Sequence, residues 1–155
     1  MKIIVDDLQG PEIRALLEEH LAQMYRESPP ESVHALDLDQ LRRPEITFWT
    51  AWGQGEDEGR LVGCVALKML DASHGEIKSM RTPEALRRRG AGRALLAHVI
   101  AVARERGLQR LSLETGTQLS FQPARALYAS FGFEETGPFA DYALDPYSCF
   151  MSREL

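Results

Sequence analysis

The run Leu86-Arg87-Arg88-Arg89-Gly90-Ala91-Gly92-Arg93-Ala94-Leu95-Leu96 joins three arginines, two glycines one residue apart and the start of an apolar helical pattern. Glycine accepts positive φ and lets a ligand approach the backbone where a Cβ would intrude. The first amides of the helix that follows have no partner inside it, so they point back at the loop. Loop amides and a helix N-terminus together form an anion site well suited to a pyrophosphate. A solvated basic turn is the plain alternative, but the loop follows a predicted strand and opens a predicted helix, the context that favours phosphate binding. No Gly-Lys-Ser/Thr follows, so this is not a P-loop. No third glycine or alanine stands at the offset of the dinucleotide fingerprint.

The elements that must position this loop are legible. Gly75 to Thr82 reads as a strand that Pro83 stops. Gly92 to Arg106 is the clearest helix, with Leu95, Leu96, Val99, Ile100 and Ala103 on one face and Gly107 as its C-terminal cap. Leu61 to Leu70 is a nearly continuous apolar run, predicted to be a central strand buried on both faces. Lys2 to Val5, Thr47 to Trp52, Leu108 to Glu114, Phe133 to Glu135 and Ser148 to Arg153 supply further strands. Helical spacing of Ile13, Leu16, Leu17, Leu21 and Met24 predicts a first helix from Pro11 that ends before Ser28-Pro29-Pro30. Leu38 to Leu41 and Pro123 to Phe131 read as short helices. The order describes a mixed sheet with helices packed against it. With 155 residues and no linker or repeat, the chain is expected to form one domain over residues 1–155.

Bulk composition narrows the partners. Net charge is −5 and the pI about 5.4, with 44% hydrophobic and 26% charged residues. An acidic body argues against nucleic acid and anionic membranes, which want a basic face. Cys64 and Cys149 sit in apolar predicted strands, and no Cys/His cluster has metal-ligand spacing, so buried reduced thiols and no metal are expected. The opening Met1-Lys2-Ile3-Ile4-Val5-Asp6-Asp7 turns acidic too soon for a signal peptide. No apolar run approaches a membrane-spanning length. These features predict a cytoplasmic protein.

Arg87-Arg88-Arg89-Gly90-Ala91-Gly92 fits R/Q-x-x-G-x-G/A, and Ala124-Arg125-Ala126-Leu127-Tyr128-Ala129-Ser130-Phe131-Gly132-Phe133 fits A-x-x-L-Y-x-x-x-G-F. Two such motifs with one strand between them resemble the GCN5-related N-acetyltransferase (GNAT) family, most closely over residues 61–134. The resemblance implies an α/β (α+β) fold with a mixed, mostly antiparallel sheet of about seven strands flanked by about four helices. It also implies an enzyme that uses acetyl-CoA as co-substrate.

By that resemblance, the amides from Arg88 to Arg93 (Arg88, Arg89, Gly90, Ala91, Gly92, Arg93) hold the CoA pyrophosphate, with Arg87 and its neighbours adding long-range attraction. Met80, Arg81 and Thr82 pair with the pantetheine arm and polarise the thioester carbonyl with main-chain donors. Tyr128 matches the tyrosine that protonates the CoA sulfur; its phenol is neutral at pH 7. Many members carry asparagine where this chain has Phe121, and Gln118 or Gln122 is the expected substitute. Glu76 ranks first as proton acceptor, ahead of Glu114.

Lys78 and Arg81 offer positive charge for a substrate carboxylate, Glu114 a substrate-binding charge, and Tyr142 a wall of the acceptor pocket. The expected activity is acetylation of the primary amine of a small molecule, one bearing a carboxylate included. Competing readings are a protein lysine or N-terminal acetyltransferase, a non-catalytic acyl-CoA-binding module, and a nucleotide or nucleic-acid binder. Edge strands near the C-terminus leave room for a homodimer.

Overall fold

A computed structural model describes residues 1–155. The elements run β1 (Lys2–Val5), α1 (Pro11–Glu27), α2 (Leu38–Leu41), β2 (Ile46–Trp52), β3 (Leu61–Met69), β4 (His74–Arg81), α3 (Ala91–Glu105), β5 (Arg110–Gly116), α4 (Gln122–Ser130), β6 (Glu134–Thr136) and β7 (Ser148–Glu154). The strands form one seven-stranded sheet in the order β1-β2-β3-β4-β5-β7-β6. Every pairing is antiparallel except β4 with β5. This is the expected mostly antiparallel sheet with four helices. No helix is long and apolar enough to cross a membrane.

β3 explains the layering. Val62, Val65 and Leu67 pack into one core with Leu95, Leu96, Val99, Ile100 and Ala103 of α3. Leu61, Cys64 and Ala66 pack into a second core with Ile13, Leu16 and Leu17 of α1 and with Leu41. A strand buried on both faces has no need of polar alternation, hence the unbroken apolar run. A Cβ on Gly63 would stand 2.8 Å from Leu95 Cδ1, so glycine lets α3 sit tightly on β3.

Most element boundaries agree with the sequence reading to within one residue. Leu108 is the exception with a visible cause. Gly107 takes φ +78, its N–H bonds to Arg104 O, and the Leu108 N–H bonds to Ala103 O. That pair of bonds seals the end of α3 and delays β5 to Arg110.

Two irregularities shape the site. First, β4 and β5 pair in parallel only from His74↔Arg110 to Ile77↔Leu113. Beyond that point β4 continues to Arg81 beside β3 and β5 continues to Gly116 beside β7, so the two strands part and leave a cleft. Second, the β3–β4 register shifts between Cys64↔Arg81 and Ala66↔Lys78, which sets Ser79 and Met80 against the single residue Val65. Ser79 holds φ +52, and its carbonyl accepts a hydrogen bond from Cys64 Sγ at 3.2 Å. This bulge turns the strand toward the cleft.

Candidate active site

The parting of β4 and β5 opens a cleft of about 530 Å³, walled by the C-terminal half of α1, the loop into α3, the face of α4 and two irregular segments near residues 32–35 and 142–147. At one end lies the glycine-rich loop. Arg88 at φ +65 and Gly90 at φ +84 curl it so that the chain enters α3 with its amides inward. The N–H groups of Arg88, Arg89, Gly90, Ala91, Gly92 and Arg93 make no hydrogen bond to the protein; the first helical bond is Ala94 N–H to Gly90 O. Six successive free donors at a helix N-terminus are a built anion cradle. A Cβ on Gly92 would lie 3.2 Å from Leu127 Cδ2, so this second glycine brings α3 close to α4.

The arginines divide. Arg87, Arg88 and Arg93 line the cleft. Arg89 turns away and pairs with Asp57 at 2.5 Å, tying the loop to the β2–β3 connection. Arg81 lines the cleft, but its buried guanidinium is engaged by Glu19 at 2.9 Å and by Gln23, both on α1. A side chain so committed holds α1 to β4, which corrects the expectation that it offers a free charge to a substrate carboxylate.

Met80 and Thr82 line the cleft as expected, and so does the Phe121 ring. Neither glutamine replaces an asparagine there. Gln122 is exposed and outside the lining. The Gln118 amide donates instead to Glu27 O at 2.7 Å and to Ser28 Oγ at 2.8 Å, which pins the turn before α4 to the end of α1.

Tyr128 and Glu114 both line the cleft. Tyr128 is buried, stacks edge-on against Phe133 at 6.1 Å, and has its phenol pushed up to about 12 by burial and then by the Glu114 charge. Glu114 stands where β5 has left β4. Burial pushes its carboxyl up to about 7, with the Glu76 and Asp145 charges adding to the rise while Ser148 and Lys78 oppose it. A carboxyl poised near neutrality and a phenol that stays protonated, both lining one cleft, are a proton acceptor and a proton donor available to a ligand there.

Glu76, expected to be the leading base, is differently employed. It is 2% exposed, and its Oε2 accepts from Lys78 Nζ at 3.1 Å and from Tyr142 Oη at 2.6 Å. Lys78 Nζ also donates to Tyr142 Oη at 2.8 Å, leaving one N–H of the ammonium for the cleft. Burial and the Glu76 carboxylate raise the Tyr142 phenol further, so it remains a donor. The three groups form a buried hydrogen-bonded network.

Sequence reasoning passed over Ser32, His34, Asp145 and Ser148. Ser32, His34 and Asp145 belong to stretches without periodicity and Ser148 opens β7; the long-range contact of Ser32 with Asp145 brings two of the four together. His34 lines the cleft with its ring edge-on to Tyr142 at 5.0 Å. Burial and then Lys78 lower its pKa, so the imidazole is neutral at pH 7.

Comparison with known proteins agrees with this geometry. Residues 13–133 match the model of the acetyltransferase (GNAT) family. The chain is 55% identical over 155 residues to the uncharacterized N-acetyltransferase YsnE of Bacillus subtilis, covering all of both chains. It is 50% identical to the uncharacterized N-acetyltransferase YedL of Escherichia coli, over 99% of this chain and 94% of that one. It is 39% identical to an IAA acetyltransferase of Azospirillum brasilense, over 90% and 86%. Among solved structures, a Klebsiella pneumoniae protein described as a presumptive acyl-CoA N-acyltransferase superposes with a TM-score of 0.80 at 30% identity, over 99% and 97% of the two chains. A Bacillus subtilis acetyltransferase in complex with CoA shares the fold at a TM-score of 0.71 and 18% identity, over 99% and 98%. With six amides free at the mouth of α3, a bulged β4 and a cleft where β4 and β5 part, the chain belongs to the acetyltransferase (GNAT) family.

Proposed function

We propose that the enzyme transfers the acetyl group of acetyl-CoA to the primary amine of a small molecule, with the amides of Arg88 to Arg93 around the pyrophosphate. Arg87, Arg88 and Arg93 add charge around the phosphates. The bulged stretch at Ser79 and Met80 lies along the pantetheine arm and directs main-chain donors at the thioester carbonyl. Glu114 accepts the proton of the incoming ammonium, the freed nitrogen attacks the acetyl carbon, the carbon–sulfur bond breaks as Tyr128 gives its proton to the departing thiolate, and the second proton of the new amide nitrogen leaves to restore the Tyr128 phenol.

The observation that carries this reading is that Glu114 and Tyr128 line one cleft together with the loop whose amides are free, Glu114 pushed up to about 7 and Tyr128 to about 12 by burial. Lys78 supports the choice of a small acceptor. Its spare N–H suits an oxygen of the substrate, a carboxylate included. A panel of primary amines with and without carboxylates, assayed by thiol release from acetyl-CoA, tests the reading. Turnover of at least one small amine that falls at least tenfold in Tyr128→Phe supports it. Acetylation of peptides alone contradicts it.

A further inference from the structure

Two connections line the cleft: residues 28–37 between α1 and α2, which hold one 3-10 turn at Pro30–Ser32, and residues 137–147 between β6 and β7. No backbone hydrogen bond joins them. They meet through Ser32 Oγ, which donates to Asp145 Oδ2 at 2.6 Å across 113 positions of sequence. Ser32 is buried and the acceptor is charged, which makes this a strong bond of its kind. Asp145 is itself fixed: Oδ1 accepts the Tyr147 N–H at 2.8 Å, its carbonyl accepts the Ser148 N–H at 3.0 Å, and Thr117 Oγ1 bonds the next carbonyl, Pro146 O, at 2.7 Å.

The latch sits between two side chains that border the acceptor space. His34, two residues after Ser32, lines the cleft and makes no hydrogen bond to the protein. Tyr142, three residues before Asp145, touches His34, Glu76 and Lys78. Glu76 and Lys78 are carried on β4 and hold the Tyr142 hydroxyl. His34 and Tyr142 are carried on the two connections that the Ser32–Asp145 bond joins.

We infer that Ser32 and Asp145 are positioning residues for the acceptor, seating His34 and Tyr142 as the wall against which the amine binds while leaving the acetyl-CoA half of the cleft untouched. The inference rests on the acetyl transfer to a small amine proposed above and adds which residues choose that amine.

Ser32→Ala, Ser32→Thr and His34→Ala test it, using the amine turned over fastest in the panel, calorimetry with CoA, and hydrogen exchange. Ser32→Ala raises KM for the amine about tenfold. It leaves the Kd for CoA within about twofold and quickens exchange in residues 137–147, although the substitution lies in the other segment. Ser32→Thr, which keeps the hydroxyl, restores both. His34→Ala raises the amine KM without quickening exchange in 137–147. An unchanged amine KM in Ser32→Ala, or a CoA affinity that falls in step with it, overturns the inference. If no small amine is turned over, the substrate reading falls by itself and exchange decides the latch: unaltered exchange in 137–147 in Ser32→Ala overturns it.

Discussion

Tyr142, in the connection before β7, donates a 2.6 Å hydrogen bond to Oε2 of Glu76, which lies 66 positions earlier on β4. The same phenol oxygen accepts from Lys78 Nζ. A loop residue thereby completes an ion pair that the sheet alone leaves short of one partner. The predicted consequence of Tyr142→Phe is a loss of about 1–3 kcal/mol in unfolding free energy, because a buried carboxylate loses a donor and a buried ammonium loses an acceptor. Urea denaturation measures it, and calorimetry with CoA in the same variant should be unchanged.

On the proposed mechanism, Glu114 ties activity to pH. With its pKa raised from 4.5 to about 7, it is a base only when ionised, so kcat/KM rises with pH through about 7. Glu114→Gln removes that limb and lowers kcat/KM by roughly 10²-fold or more. The Tyr128 phenol, near 12, stays protonated throughout neutral and moderately alkaline pH and adds no fall there. A pH–rate profile of the two proteins checks both statements.

The same shift sets a stability cost. The folded protein holds the Glu114 proton more tightly than the unfolded chain does. Stability therefore falls as pH rises from about 4.5 through about 7, up to about 3 kcal/mol if the whole shift is felt. Glu114→Gln, neutral at every pH, is expected to be more stable than the parent at pH 8 and about equal to it at pH 4. Thermal melts at the two pH values read the difference.

Gly90 shapes the loop proposed to hold the pyrophosphate. Its φ of +84 is open to glycine and strained for a branched side chain, although nothing stands within 4 Å of the Cβ position. The effect of Gly90→Val is therefore on backbone shape alone. KM for acetyl-CoA should rise about tenfold or more, with kcat at saturation changed much less.

Much of this architecture was legible in the chain. β3 announced itself because both its faces are apolar, α3 because its stripe is regular and ends on Gly107, and the cradle because glycine and helix start fall together at Gly90 to Gly92. Tyr128 was found through its motif. The functions of charged residues were not legible, since they depend on partners remote in sequence. Arg81 is engaged by Glu19 and Gln23, Arg89 by Asp57, and Glu76 by Tyr142. Nothing in a local pattern tells a free charge from a paired one. Glu114 and Glu76 looked alike on their strands, and only the parting of β4 from β5 buries Glu114 among neighbours that raise its pKa while Glu76 gains two donors.

A crystal structure with bound acetyl-CoA tests the central claim most directly. The account predicts diphosphate oxygens within hydrogen-bond reach of the amides from Arg88 to Arg93, the thioester sulfur beside the Tyr128 hydroxyl, and the acetyl carbon facing Glu114. A diphosphate seated away from those amides, or a sulfur out of reach of Tyr128, would contradict it.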